Sequence, residues 1–436
     1  MCNKPAILLQ TAILLAVALP AARAVDFTAQ RQHMVEQEIV AAGVTDPRVI
    51  ESMRNTPRHE FVALPSRANA YYDMALPIGN AQTISPPFVV AYMTEQLLPQ
   101  PTDTVLEIGT GSGYQAAVLS PLVKEVYTIE IVKPLGERAA RTLKRLKYTN
   151  VHAKVGDGYQ GWPEHAPFDK IIVTCSPEQV PPKLVEQLRE GGRMIVPVGE
   201  RYEQTLYLFR KIDGKLEKVA LLPTLFVPMT GKAEDSRVAR PDPGNPQINN
   251  GGFEEISVPG AEPPETKTDK SAIDKRAKDS PPSDAEKSEP TPLGWHYQRQ
   301  LKLVDDDEAP QGGHYVTFSN TEPGRGAHAL QGLAVDGRKV SALDVSLWVK
   351  AVNLRAAGPE QEPMLAITFY DENRSQAGYT FVGPWRDSFA WRKVTDRLRV
   401  PPKAREAIVR IGLSGATGEL SFDDIQIRAH KSRALD

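Results

Sequence analysis

The chain has 436 residues, 41% of them hydrophobic and 24% charged, which predicts two or three domains with substantial cores. Its 52 Lys and Arg residues nearly balance 54 Asp and Glu residues, giving a net charge of -2. The chain thus lacks the basic excess typical of nucleic-acid-binding proteins, and we expect no nucleic-acid partner.

The first 24 residues have the pattern of a secretory signal peptide. Lys4 precedes an apolar run from 6 to 19, and Ala22-Arg23-Ala24 fits a small-residue cleavage site. The run is shorter than the roughly 20 residues of a membrane-spanning helix, so we expect no stable membrane insertion. We predict export to the periplasm or cell envelope. The alternatives are an uncleaved anchor, or an unused signal and a cytoplasmic protein.

Cysteine and histidine usage predicts no metal site. Cleavage of the signal would remove Cys2 and leave Cys175 alone, which excludes an intrachain disulfide and a cysteine-ligated zinc site. The 8 histidines lack the spacing of metal ligands.

Residues 25–232 alternate between strand-like and helical patterns. Apolar runs such as "TVLEIG", "EVYTIEI" and "DKIIVTC" are mostly followed by helical stretches. This βαβ series predicts an α/β domain with a mainly parallel sheet covered on both faces. In such sheets, ligands bind outside the carboxyl ends of the strands.

A glycine-rich turn follows the strand "VLEI". Gly109, Gly111 and Gly113 come after Glu107 in the order E-x-G-x-G-x-G. A phosphate-binding P-loop would need a Gly-Lys-Ser/Thr ending, and the dinucleotide pattern has its third glycine one residue later. The tighter spacing favours a ligand without a phosphate at this point, such as the amino-acid end of S-adenosylmethionine (SAM). The alternative is an ordinary strand-to-helix turn.

Two acidic residues end later strands. Glu130 lies about 20 residues beyond the turn, where a carboxylate can accept hydrogen bonds from ribose hydroxyls. Asp157, in "VGDG", can face the edge of an adenine, although Asp-Gly is also an ordinary turn sequence.

This region resembles the protein-L-isoaspartate O-methyltransferase family. The motifs that carry the resemblance are "PRHEFV" (57–62), "LPIGNAQTISPPFVVAYMTE" (76–95), "VLEIGTGSGYQ" (105–115), "GDGYQGWPEHAPFDKIIVT" (156–174), "LREGGRMIVPVG" (188–199) and "FVPMTG" (226–231). The resemblance implies a Rossmann-like SAM-dependent methyltransferase fold. It also implies methyl transfer from SAM to L-isoaspartyl and D-aspartyl carboxylates of damaged proteins, which initiates their repair.

The resemblance implies a set of site residues as well. The residues that it places on the acceptor side are Ser85, the catalytic candidate, with Gln82, Thr83, Ile84, Val227, Pro228 and Met229. Those that it places around the cofactor are Glu107, Gly109, Gly111, Glu130 and Asp157, and the glycine pattern adds Gly113.

Ser85 also has a structural interpretation. It precedes Pro86-Pro87 and a helical stretch, and Ser before Pro is a common start of a helix. Capping the helix and orienting the acceptor carboxylate are compatible roles.

Residues 233–292 are rich in proline and charged residues, and we predict a disordered linker. The linker contains Asn250-Gly251, and in a flexible segment this pair readily forms isoaspartate, so we predict that Asn250 becomes a substrate.

Residues 293–436 return to strand-like alternation, as in Leu343, Val345 and Leu347, which predicts an all-β sandwich. "LDVSLWVKAV" and "GELSFDDIQI" resemble a carbohydrate-binding-module-like jelly roll, which implies a glycan partner. Tyr379 and the aromatics at 385 and 391 either stack on sugar rings or fill the core.

Two alternative functions stay open. One is an exported, non-catalytic binding protein on a methyltransferase fold, tethered to glycan. The other is an NAD-dependent dehydrogenase, which the spacing of the glycines disfavours.

Overall fold

The structure is a computed structural model that describes residues 26–231, 241–257, 290–358, 361–372 and 375–430. The predicted signal peptide lies outside the described residues, and so does much of the predicted linker. Nowhere in the described part of the chain is a helix both long and apolar enough to span a membrane.

The first unit is an α/β domain that begins at helix α1. Its helices are α1 (Phe27–Met34), which continues as a π-helix (Val35–Val40), α2 (Pro47–Asn55), α3 (Pro87–Leu97), α4 (Tyr114–Leu119), α5 (Lys133–Arg145) and α6 (Pro182–Gln187). Its strands are β1 (Leu76–Gly79), β2 (Gln82–Ile84), β3 (Thr104–Ile108), β4 (Glu125–Glu130), β5 (Val151–Val155), β6 (Phe168–Val173), β7 (Leu188–Glu200), β8 (Glu203–Ile212) and β9 (Lys215–Thr224).

Seven of these strands form one sheet in the order β5-β4-β3-β6-β7-β8-β9. The pairs from β5 to β7 are parallel, and β8 and β9 add an antiparallel edge. The central strand β3 is buried over Val105–Ile108 because apolar side chains pack on both faces of the sheet. The predicted α/β class is confirmed.

The second unit is a sandwich of two antiparallel sheets. Its strands, preceded by the short pair β10 (Ile256–Ser257) and β11 (Thr291–Pro292), are β12 (His296–Arg299), β13 (Leu301–Asp305), β14 (His314–Asn320), β15 (His328–Ala334), β16 (Ala342–Arg355), β17 (Met364–Tyr370), β18 (Gln376–Val382), β19 (Asp387–Arg399), β20 (Glu406–Gly412) and β21 (Thr417–Ala429). One sheet has the order β12-β15-β20-β17-β18 and the other β13-β14-β21-β16-β19.

The core of the sandwich lies between these two sheets. Leu343, Val345 and Leu347 alternate into it as predicted, which confirms the all-β sandwich. Trp385 is only 4% exposed and packs edge-on against Phe422. Of the two predicted roles, stacking on sugar rings or filling the core, the structure therefore supports filling the core.

The linker prediction is wrong for residues 241–257, which pack on the sandwich. Phe253 is fully buried and its ring lies 5.6 Å from that of Trp295, so the segment has an apolar anchor that the proline-rich composition concealed. Asn250 Nδ2 donates to the carbonyls of Glu255 and Leu293. Because these bonds fix the side chain in an ordered segment, the predicted ageing of Asn250 in a flexible chain loses its basis. Residues 232–240 and 258–289 lie outside the described residues.

The two units contact each other along β12. His296 Nε2 lies 3.1 Å from the carbonyl oxygen of Tyr202, in the turn between β7 and β8. Beside it, Arg201 forms an ion pair with Glu406 of β20 at 2.6 Å.

Candidate active site

A cleft of about 840 Å³, part of it open to solvent, lies at the carboxyl ends of β3, β4 and β6. This is where the order of the sheet reverses, because β4 and β6 flank β3 on opposite sides. Such a switch point leaves a crevice above the strands, where open α/β sheets bind their ligands.

The turn after β3 forms the floor of the cleft. Gly109 has φ +97°, and a Cβ on it would lie 2.5 Å from Thr174 Oγ1. Gly113 has φ +91° and is the N-cap residue of α4, and a Cβ on it would lie 3.1 Å from the side chain of Leu143. Both positions therefore favour glycine for the backbone conformation, and at Gly109 the space also excludes a side chain.

Glu130 connects the end of β4 to this turn. Its Oε2 accepts a hydrogen bond from the backbone N–H of Gly111 at 2.7 Å, and its Oε1 accepts one from the N–H of Val132 at 2.9 Å. The carboxylate is buried at the wall of the cleft. Among the lining residues that the structure describes, it is the one with an acidic side chain.

Glu107 lies fully buried beneath the turn. Its Oε2 accepts a hydrogen bond from Thr128 Oγ1 at 2.5 Å, while its Oε1 has no partner among the described residues. Burial raises the pKa of Glu107 to about 8. The hydrogen bond from Thr128 opposes this rise, and the negative charge of Glu130 adds to it. A buried oxygen without a partner indicates room for one more hydrogen-bond donor.

The acceptor side of the cleft begins with the hairpin of β1 and β2. Gln82, Thr83, Ile84 and Ser85 all line the cleft. The Ser85 hydroxyl has no hydrogen bond to any part of the chain that the structure describes, so it is free to contact a ligand.

The predicted capping role of Ser85 is wrong by position. Helix α3 begins at Pro87 with Pro86 as its N-cap residue, which makes no side-chain cap. Instead, Asp73 Oδ1 accepts a hydrogen bond from the backbone N–H of Phe88 at 2.9 Å. A carboxylate at the start of a helix satisfies a free N–H and complements the helix dipole.

The segment after β9 closes the acceptor side. Ser176, just beyond β6, donates its N–H to Val227 O and accepts the N–H of Met229, both at 2.8 Å. These bonds fix Val227, Pro228 and Met229 in the lining of the cleft.

The structure brings ten of the thirteen predicted site residues to one cleft. These are Gln82, Thr83, Ile84, Ser85, Gly109, Gly111, Glu130, Val227, Pro228 and Met229. Glu107 lies beneath the turn and Gly113 at its end, so neither is in the lining, and Asp157 lies beside the lining residue Gly158. Asp157 Oδ1 accepts the N–H of Tyr159 at 3.0 Å, as in the alternative turn role.

Several residues of the lining were not predicted. Thr110 and Ser112 lie between the glycines, and Thr174 and Cys175 follow β6. Polar residues at the end of the strand beside β3 are a signal that could have identified the last two. Within the described residues, no group of three or more His, Cys, Asp or Glu side chains is placed to hold a metal ion.

Comparison with known proteins agrees with this geometry. Residues 29–234 match the family model "Protein-L-isoaspartate(D-aspartate) O-methyltransferase (PCMT)". A protein-L-isoaspartate O-methyltransferase from Opitutus terrae is 53% identical over 204 residues, which cover 47% of this chain and 88% of that protein. Protein-L-isoaspartate O-methyltransferase 1 from Cupriavidus necator is 54% identical over 189 residues, 43% of this chain and 73% of its own.

A solved protein-L-isoaspartate O-methyltransferase is 32% identical and covers 47% of this chain and 66% of its own, with a TM-score of 0.43. The matches in sequence cover most of the length of these two curated relatives, and the family model covers residues 29–234 of this chain. The chain belongs to the protein-L-isoaspartate(D-aspartate) O-methyltransferase family.

Proposed function

We propose that the protein transfers a methyl group from SAM to the carboxylate of L-isoaspartyl and D-aspartyl residues in damaged proteins, and so initiates their repair. The observation that carries the proposal is that the glycine turn, Glu130 and both acceptor segments line one cleft. When bound, SAM would supply a methyl group attached to a positively charged sulfur. After the transfer this sulfur is a neutral thioether, which makes it a good leaving group.

The charges of the cleft suit such a ligand. Among the lining residues that the structure describes, Glu130 is charged and none is Lys or Arg. A phosphate would lack a cationic partner here, whereas a cationic ligand meets a carboxylate. We assign Gly109, Gly111 and Glu130 to cofactor binding.

The chain's own contribution to the chemistry is positioning. An isoaspartyl carboxylate has a pKa near 4 and is ionised at neutral pH, so it needs no general base. We assign to Ser85 Oγ the donation of a hydrogen bond that orients this carboxylate, with the hairpin and Val227–Met229 excluding water on either side. Correct positioning of two reactants is worth effective molarities on the order of 10⁵–10⁸ M.

The test is methyl transfer to an isoaspartyl peptide and to its normal aspartyl twin. We expect labelled methyl ester on the first peptide only. Equilibrium binding of SAM and NAD to the same preparation separates the alternatives: binding of NAD would favour a dehydrogenase, and SAM binding without transfer would favour a non-catalytic protein. Equal methylation of both peptides would contradict repair.

We also propose that the sandwich, as a carbohydrate-binding-like jelly roll, binds glycan. Tyr379 and Phe381 support this, because they are 45% and 41% exposed on β18, with ring centroids 6.0 Å apart. Exposed aromatic rings on one strand are a suitable surface for sugar rings. The Tyr379→Ala variant should lose binding to insoluble peptidoglycan in a pull-down, whereas Tyr207→Ala, in the first unit, should retain it. Equal retention by both variants would contradict the proposal.

We propose, finally, that the protein is exported to the periplasm or cell envelope. The support is the charged start, apolar run and cleavage pattern of the first 24 residues. N-terminal sequencing of protein from a periplasmic fraction should begin near Val25. An intact Met1 on cytoplasmic protein would contradict export.

A further inference from the structure

We propose that strand β12 of the sandwich positions the acceptor side of the cleft, with Arg299 and Tyr297 holding the two segments that flank it. The inference rests on the function proposed above and assigns a part in it to the second unit. It makes Arg299 and Tyr297 positioning residues, because neither lines the cleft.

Arg299 acts on the start of α3 through Asp73. Its Nε donates to Asp73 Oδ2 at 2.8 Å, while Asp73 Oδ1 accepts the N–H of Phe88 at 2.9 Å. The two side chains are only 11% and 2% exposed, so solvent screens the pair weakly. Phe88 is three residues beyond Ser85, and the ion pair therefore fixes the backbone that ends the acceptor hairpin.

Arg299 also contacts Phe88 directly. The centre of its guanidinium lies 3.6 Å from the centroid of the Phe88 ring, and that ring stacks on Tyr92 at 5.5 Å. A planar cation on an aromatic face adds to the hydrogen bonds of the same side chain. A residue of the second unit thus fixes the first turn of α3. Val90, in the same turn, lines the cleft.

Tyr297 acts on the other acceptor segment. Its hydroxyl donates to the carbonyl of Leu225 at 3.0 Å, and Thr224 Oγ1 lies 3.4 Å from it. Leu225 is two residues before Val227. One short strand of the sandwich therefore makes polar contacts to the supports of both acceptor segments.

The cofactor side has no such contact among the described residues. Glu130 and the glycine turn bond to each other and to the first unit only. Loss of the β12 contacts should consequently disturb the acceptor peptide and leave cofactor binding intact. This difference between the two sides of the cleft distinguishes a role in positioning the acceptor segments from a role in the stability of the whole protein.

The experiment compares R299M with R201M in the full chain. Arg201 also pairs across the two units, with Glu406, yet neither residue lines the cleft, so R201M is a matched control. We expect R299M to raise the KM for an isoaspartyl peptide and lower kcat/KM by about tenfold or more, since small misplacements are costly. The Kd for S-adenosylhomocysteine should stay within about twofold, and R201M should resemble wild type in both.

Two further variants keep the test decisive if R299M folds poorly. R299M leaves Asp73 without its partner and near Glu38, another buried acid, whereas D73N/R299M removes the unpaired charge. The double variant should fold and retain the raised KM. R299K keeps the charge without the planar fork and should recover part of the activity.

Hydrogen exchange gives a readout that does not depend on activity. In R299M the segment 84–90 should exchange faster than in R201M, and in Tyr297→Phe the segment 225–229 should do so. Identical kinetics and exchange in R299M and R201M would overturn the inference. An inactive wild type would contradict the proposed function instead, and the exchange comparison would still decide on β12.

Discussion

Glu130 accepts the backbone N–H of Gly111 at 2.7 Å, so the end of β4 is bonded directly to the turn after β3. The second oxygen accepts the N–H of Val132 at 2.9 Å, so one carboxylate satisfies two backbone donors. Glu130 therefore shapes the floor of the cleft and remains an acceptor for a ligand, because each carboxylate oxygen has two lone pairs.

Glu130→Gln should weaken cofactor binding. A Gln side chain has one acceptor oxygen, so one of the two backbone donors loses its partner, at a cost of about 1–3 kcal/mol. We expect the Kd for S-adenosylhomocysteine to rise about tenfold or more in titration calorimetry, from the same loss. Glu125→Gln, at the other end of β4, is the control and should bind like wild type. Equal affinities in the two variants would refute the assignment.

Gly109→Ala should lower the free energy of unfolding by more than an alanine substitution at a glycine with free space around it. The new Cβ would lie 2.5 Å from Thr174 Oγ1, which donates to the carbonyl of Gly109 at 2.6 Å. Gly191 also has positive φ, but nothing lies within 4 Å of its Cβ position. Gly191→Ala should therefore cost only the backbone strain, about 1–2 kcal/mol in the free energy of unfolding.

The clash can be tested on its own. Thr174→Ala removes the obstructing oxygen, so Gly109→Ala should cost less stability in that background than in the wild type. Denaturant unfolding of the four proteins measures the coupling. Additive losses would mean that Thr174 does not restrict Gly109.

Ser85→Ala should reduce turnover without reducing stability. The structure assigns the cap of α3 to Asp73, and the Ser85 hydroxyl has no partner among the described residues. We expect kcat/KM for an isoaspartyl peptide to fall about tenfold to a hundredfold, with unfolding changed by less than about 0.5 kcal/mol. Asp73→Ala should lose about 1 kcal/mol or more as its cap is removed. A Ser85→Ala protein that loses stability yet keeps its kcat/KM would exclude the orienting role.

The sequence predicted those parts of the site that depend on local pattern. The glycine turn is recognisable within a few residues, Glu130 was predicted from its distance along the chain from that turn, and the QTIS segment was predicted from the family resemblance. Gly109, Gly111, Glu130 and residues 82–85 all line the cleft. The cap of α3 could not be found in this way, because Asp73 and Phe88 are 15 residues apart and meet only when the hairpin folds back.

The remaining differences have similar physical causes. Composition predicts that a proline-rich segment cannot form its own core, but not that Phe253 fills a gap in a neighbouring one. Residue type does not say which aromatic side chain is buried: Trp385, in the connection between β18 and β19, packs in the core, whereas Tyr379 on β18 is exposed. The β12 contacts join residues that are 72 positions apart for Tyr297 and Leu225 and 226 for Arg299 and Asp73, which no local pattern encodes.

Glu107 should make stability depend on pH. Burial raises its pKa from 4.5 to about 8. Between these pH values the folded chain keeps a proton that the unfolded chain has lost, so the free energy of unfolding falls as the pH rises. One proton contributes a slope of at most about 1.4 kcal/mol per pH unit. Glu107→Gln removes this titration, so denaturant unfolding should find the variant progressively more stable relative to wild type from pH 5 to 8. A difference that stays constant over this range would mean that Glu107 is ionised in the folded protein.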